Sequence, residues 1–456
     1  MHAPKRHSLV KGPARGLAIG LALAATGAAH AAVAPSAAQR AESQRIDTLE
    51  QRLAQSQKLI EQLGAEVHAL EAQLAQQAAA KPPIAPVAAP AAVAAADEAA
   101  RLANVEHQVE QITSSANNAH GDDRGLPLHG FIDVGAGNHN PLSPANKGAY
   151  VGSVDFYLAP QLGEHTRGLV ELNFEVGEEG GVGVDLERTQ LGYQFGNTGT
   201  LWLGRFHTPY GYWNTAFHHG MQIATSLRRP RFLAFEDQGG ILPAHSTGLW
   251  FTGNKRVGDG KLGFDIYVTN AQVIEDGVLD MRQAGNADGQ VTLGGRLSYQ
   301  PGSLDSLQVG VSALSGRIED ATNPANDTHM NVLGLHANWD SDAWEGLAEL
   351  YLFRNESLLG GGTHSSNAGY AQLGYRAGRY TPYARYERTS LDQTDGYFIG
   401  QASGKSYHRE ALGFRYDIDL KSALKLELAD THNTDGTLLR PDDSYGDVLL
   451  QYAVRF

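Results

Sequence analysis

From Leu128 to the C-terminus, apolar and polar residues alternate one by one. That is the period of a strand with two unlike faces. Val154, Phe156 and Leu158 alternate with Ser153, Asp155 and Tyr157. Val170, Leu172 and Phe174 alternate with Glu171, Asn173 and Glu175. Leu424, Leu426 and Leu428 alternate with Lys425 and Glu427. Sixteen such segments follow one another, near 128–136, 150–161, 166–175, 184–195, 199–206, 246–253, 260–269, 289–299, 305–314, 329–338, 343–353, 367–377, 379–388, 406–417, 421–430 and 446–456. Most reach the roughly 9–11 residues that a transmembrane strand needs.

The connections have a pattern of their own. Those after even segments are mostly short, such as Gly196-Asn197-Thr198 or Gly378 alone. Those after odd segments are mostly long: 207–245, 270–288, 315–328, 354–366 and 389–405. Short turns at one end and long loops at the other predict an all-β fold, a 16-stranded antiparallel transmembrane β-barrel over 128–456. A soluble β-sandwich is the competing fold, but it does not require that alternation.

Upstream the period is helical. Ile46, Leu53, Ile60, Val67 and Leu74 occupy heptad position a, and Leu49, Leu63 and Leu70, with Ser56, occupy d. The spacing predicts an α-helical coiled coil within 32–77, its heptads running about 43 Å. A single amphipathic helix laid on the body is the alternative. A coiled coil needs partner strands, so Ile46, Leu49, Leu53, Ile60, Leu63, Val67, Leu70 and Leu74 are the candidate oligomerisation residues. Residues 78–127 read as an Ala/Pro linker followed by a short helix on Leu102, Val105, Val109 and Ile112. Pro82, Pro83, Pro86 and Pro90 bar a membrane helix in the Ala-rich run. Any spanning of a membrane must then fall to a barrel.

Residues 1–31 read as an export signal: Lys5, Arg6, Lys11 and Arg15, the apolar run Leu17 to Ala25, then Ala29-His30-Ala31. The chain of 456 residues carries a formal charge of −14, and removal of those four cations makes it −14 − 4 = −18. An acidic chain without a basic stripe argues against nucleic acid as a partner. Zero cysteines exclude disulfides and thiolate chemistry.

The last strand places Leu450, Tyr452, Val454 and Phe456 on one face. A closing strand of this kind with a terminal Phe resembles that of bacterial outer-membrane proteins. In that family Tyr452, Val454 and Phe456 would form the signal read by the barrel assembly machinery. With the export signal and the sixteen segments, residues 128–456 resemble a Gram-negative porin. A coiled coil ahead of the barrel is similar to DcaP-type porins. The resemblance implies an outer-membrane channel for passive diffusion of small hydrophilic solutes, no enzyme, no cofactor, and a homotrimer in contact with outer-membrane lipid and lipopolysaccharide. Its coiled coil would stand in the periplasm. The trimer expectation outweighs the two-stranded lean of β-branched residues at a, which Leu53 and Leu74 already weaken.

The 39-residue loop 207–245 is the third connection to follow an odd segment, and a loop of that length is usually functional. In general porins the third loop folds inward and narrows the pore. Its aromatics, Tyr210, Tyr212, Trp213, Phe217, Phe232 and Phe235, want burial. Its charges, Arg228, Arg229, Arg231, Glu236 and Asp237, are the candidate pore constriction, and the arginines suggest anionic solutes. Arg188, Arg296, Arg415, Glu171 and Glu175 are candidate lumen charges on the polar strand faces. A loop cap against neighbouring subunits is the rival use of 207–245. A metal site on His207, His218, His219 and His245 lacks any ligand-like spacing, so no metal is expected. No G-x-S-x-G elbow supports a barrel enzyme. Two other functional readings stay open: a structural barrel whose coiled coil tethers the envelope, and a barrel enzyme whose residues meet only in space.

Overall fold

A computed structural model describes residues 128–139, 147–176, 182–217, 222–280, 285, 289–434 and 444–456. The export signal, the heptad segment, the Ala/Pro linker and the short helix lie outside the described residues.

The first strands are β1 (Leu128–Gly137), β2 (Gly148–Leu158), β3 (Thr166–Val176), β4 (Val182–Phe195), β5 (Gly199–His207), β6 (His245–Val257), β7 (Gly260–Asn270), β8 (Val273–Glu275) and β9 (Val278–Asp280). The rest are β10 (Val291–Gln300), β11 (Leu307–Asp320), β12 (Thr328–Asp340), β13 (Trp344–Ser357), β14 (Thr363–Tyr375), β15 (Tyr380–Ser390), β16 (Tyr407–Asp417), β17 (Ser422–Asn433) and β18 (Ser444–Arg455). β18 returns to pair antiparallel with β1, from Phe131 opposite Arg455 to Gly137 opposite Leu449. β7 pairs directly with β10, so the β8–β9 hairpin lies outside the wall. Eighteen strands less those two leave a closed antiparallel barrel of sixteen. Closure abolishes the sheet edge and gives every wall strand a neighbour on both sides, the condition for a sheet to live in lipid.

The alternation seen in the sequence sorts the two faces. On β17, Leu424, Leu426 and Leu428 are exposed while Lys425 and Glu427 between them are fully buried. In a closed barrel the exposed apolar face is the outside and the buried polar face is the lumen. Near the short turns the outer face carries aromatic pairs: Trp344 with Tyr375, Tyr380 with Tyr416, and Phe195 with Phe251. These rings suit the interfacial zone of a bilayer, where an amphipathic ring sits best.

Two details depart from the sequence expectation. β11 and β13 run farther into the long-loop side than expected, to Asp320 and Ser357, because Arg317 and Glu356 stay in register with His329. Within 270–288, expected as plain loop, β8 and β9 turn tightly at Asp276 and Gly277, both with positive φ. Asp-Gly is the sequence that a mirror-image hairpin turn prefers.

Candidate functional site

The connection from β5 to β6, loop 3, leaves the wall at His207 and rejoins it at His245. Its neck is tied shut. Thr208 N–H donates to the Ala244 carbonyl, and the Asn214 amide donates to the carbonyls of both Thr208 and Ala244. Gly211 then turns the chain, with φ +56. A Cβ there would run into the Glu349 carboxylate and the Tyr351 hydroxyl, so the position needs glycine.

Beyond the neck come a single helical turn, α1 (Trp213–Ala216), and two 3₁₀ turns, Arg231–Leu233 and Glu236–Gln238. Tyr210, Trp213, Phe232, Leu233 and Ile241 are buried almost completely. They pack on inward rings of the wall: Tyr210 and Phe232 on Tyr351, Trp213 on Tyr370. Burying several aromatic side chains is worth roughly 1.5–3 kcal/mol each, which holds the loop inside the barrel.

Hydrogen bonds run along the same path. Arg296 on β10 donates to the Gly211 carbonyl (2.9 Å). Trp213 N–H donates to Glu349 on β13 (2.6 Å). Leu227 N–H reaches the Tyr383 hydroxyl on β15 and Phe232 N–H the Tyr407 hydroxyl on β16. Lys425 on β17 donates to the Ser226 carbonyl, and Arg415 to the carbonyls of Gln222 and Ala224. Loop 3 is thus bonded to lumen-facing side chains from β10 round to β17. From the long-loop side, α2 (Gly396–Ile399) covers it, with the Tyr397 hydroxyl donating to the Ile241 carbonyl (2.6 Å).

The three loop arginines have different surroundings. Arg228 sits between Glu427 (3.1 Å) and Asp447 (2.7 Å). Burial works against its charge, but those two carboxylates outweigh burial and hold the guanidinium above its ordinary value. Arg229 is buried, donates to Asn214 within the loop and lies over the Phe235 ring; burial lowers its pKa. Arg231 is half-buried, donates to Asn433 (2.5 Å) and lies 4.6 Å from the Tyr407 ring centre. Among the described residues no carboxylate forms an ion pair with Arg231. Glu236 accepts from His245 N–H (2.9 Å) and faces its ring (3.2 Å). Burial would raise this carboxyl, but His245 more than offsets it and the pKa falls below the usual value. Asp237 is exposed.

The expected lumen charges are paired along the wall. Arg188 meets Glu171 (2.5 Å), Arg296 meets Asp265 (2.8 Å), and Arg415 meets Asp417 (2.7 Å). Glu175 accepts from Asn173 (3.4 Å). Sequence reasoning did not single out a second lumen network. Arg385 pairs with Glu387, and Arg409 bridges Glu427 and Asp447. Its trace in the sequence is charge at i and i+2 on a strand's polar face, as in Arg385/Glu387 and Lys425/Glu427. Tyr452 and Phe456 are on the outer face, and the Phe456 ring meets Phe156 across the seam where the barrel closes. The heptad residues, His218 and His219 lie outside the described residues. His207 and His245 are neighbours, their rings 5.6 Å apart, and no cluster of three metal-holding side chains occurs among the described residues.

No protein-family profile and no curated protein matches the sequence. Solved structures do. An anion-selective porin from Comamonas acidovorans superposes with a TM-score of 0.50 at 16% identity, over 72% of this chain and 98% of that one. The fold is that of a bacterial outer-membrane porin. The DcaP channel of Acinetobacter baumannii matches 72% of this chain and 96% of its own at 12% identity and a TM-score of 0.47.

Proposed function

We propose that this chain forms a water-filled channel through a bacterial outer membrane, for passive diffusion of small hydrophilic solutes. The observation that carries the reading is the closed sixteen-stranded wall with apolar residues outside and a charged, hydrogen-bonded lumen crossed by loop 3. A sixteen-stranded barrel is wide enough for an aqueous passage. Loop 3 would be its constriction, shaped by Arg228, Arg229, Arg231, Glu236 and Asp237. The short turns would face the periplasm and the coiled coil would extend there. The subunits would assemble as a homotrimer aligned by the heptad residues, in contact with lipid and lipopolysaccharide. Tyr452, Val454 and Phe456 would present the assembly signal.

An anion preference is part of the proposal. Arg231 supports it best, as a half-buried guanidinium that no carboxylate neutralises among the described residues. Reversal potential in a salt gradient tests the sign. Arg231→Ala should move it towards cations, and an unmoved potential would remove the preference.

A second reading has its own support. The extent of loop 3's bonding, from β10 to β17, also suits a plugged barrel whose coiled coil tethers the envelope. Single-channel conductance of the refolded chain separates the two. Steps in threes fit a trimeric porin, and silence at every voltage fits the plug. Deletion of residues 32–120 should leave a porin conducting but abolish a tether.

A further inference from the structure

On the short-turn side of loop 3 lies a chamber of about 560 Å³. That is within the 300–1,000 Å³ typical of small-molecule sites. Loop 3 supplies its roof, with the rings of Tyr212, Trp213 and Phe217. Tyr212 and Phe217 are only half-buried, so part of their surface is uncovered. Trp213 is 2% exposed, and its indole N–H has no hydrogen-bond partner among the described residues. A buried donor left unmade carries a desolvation penalty, so a ligand acceptor placed there would gain by filling it.

The walls are polar. Arg296, Arg376 and Arg415 line them, together with Asp305, Asp340, Glu345 and Asp417. The formal balance is +3 − 4 = −1. Each guanidinium is already engaged: Arg296 with Asp265, Arg376 with Asp340 and Glu345, and Arg415 with Asp417. Among the described residues that line the chamber, an anion would find no unneutralised guanidinium to repay its lost hydration. A solute without charge meets no such cost. It can donate hydroxyls to the carboxylates and accept from guanidinium edges and from the Trp213 N–H. An apolar ring face completes the match, because an aromatic roof rewards C–H surface rather than more polar groups.

We propose that this chamber is a binding site for a neutral, ring-shaped polyhydroxylated solute, a sugar of up to about disaccharide size. The site deepens the channel reading, since it is the barrel lumen that would bring the sugar to it. Within the chamber Tyr212 and Phe217 stack on the sugar's C–H face, Trp213 donates to a ring or hydroxyl oxygen, and Asp340, Glu345 and Asp417 accept hydroxyl protons.

The test uses the refolded full chain and sucrose, with succinate as the anionic probe. In a planar bilayer, sucrose added on the short-turn side should reduce ion current along a saturating curve. The double variant Tyr212→Ala/Phe217→Ala should need at least tenfold more sucrose for half the effect. Phe217→Leu, which keeps apolar volume but removes the ring, replaces it if the double variant does not fold. Tryptophan fluorescence in detergent is read in parallel and does not depend on conduction. Sucrose should shift the emission, and Trp213→Phe should abolish the shift. No current together with the fluorescence shift would sink the channel reading and keep the site. Current with a merely linear, variant-independent sucrose response, or a larger fluorescence response to succinate, would overturn the sugar site.

Discussion

Arg228 is the cross-link whose loss should show whether loop 3 is held by charge or by packing. Its guanidinium faces two carboxylates, and both Glu427 and Asp447 have fully buried side chains. Removing one partner of a buried pair typically costs about 3–5 kcal/mol, mostly because the remaining charge is stranded. Here the stranding is partial. Arg409 still reaches Glu427 (3.4 Å) and Asp447 (3.1 Å), and Arg385 approaches Glu427 at 3.9 Å. That shared neutralisation places Arg228→Ala near the low end, about 3 kcal/mol. The loss is local, since among the described residues the Arg228 side chain meets only the side chains of Glu427, Asp447 and His139, and takes no part in the strand-to-strand backbone ladder. It should therefore appear as opening of 222–234 rather than melting of the barrel. About 3 kcal/mol is a factor of roughly 150 in the opening equilibrium. Amide hydrogen exchange should speed by that factor at Leu227 and Phe232, whose N–H groups bond the wall. Arg228→Lys should recover part of the protection, because an ammonium keeps the charge but lacks the fork that spans both carboxylates. Unchanged exchange at Leu227 and Phe232 in Arg228→Ala would refute the clamp and leave the aromatic packing and the loop's other hydrogen bonds to the wall as its anchors.

Other perturbations separate the remaining contacts. Gly211→Ala forces a side chain into positive φ and against Glu349 and Tyr351, so we expect a loss of at least about 1–3 kcal/mol, read as a lower yield of refolded barrel. Tyr397→Phe removes the hydroxyl donated to Ile241 and should cost about 0.5–1.5 kcal/mol, seen as faster exchange in 239–242 with the barrel unaffected. Asp392, beside α2, is held down to about 2 by the Thr394 hydroxyl and N–H and by His364. A carboxyl whose folded pKa is depressed adds stability above its unfolded value and loses it as pH falls through the folded one. Protection around 391–395 should therefore persist at pH 4 and fade towards pH 2, and Asp392→Asn should remove that pH dependence. Glu236 has the same sign: its contacts to His245 should hold the return of loop 3 above the ordinary carboxylate range and weaken in acid, by exchange at His245.

The wall was legible because one rule governs every strand. Alternation fixes which residue faces lipid, and a slip of one residue would turn all of Leu424, Leu426 and Leu428 inward. Strand ends were less legible where polar residues stay paired, as at Arg317 on β11, since hydropathy does not report backbone register. The length and aromatic content of loop 3 pointed to the segment, but not to what its charges touch. Arg228, Arg229 and Arg231 are nearly adjacent in sequence and end in three environments: an ion-pair bridge, a ring within the loop, and an amide on β17. Their partners lie 199 residues away at Glu427, 15 at Asn214 and 202 at Asn433. No periodicity in a single chain encodes such distances. The partners are set instead by how many strands the loop crosses before its aromatics find their rings on β13 and β14. The packing of Tyr210, Trp213 and Phe232 therefore comes first in the physical order, and the placement of the charges follows from it. For this reason a substitution that shifts Trp213 should move the electrostatics of the passage more than the loss of any single arginine.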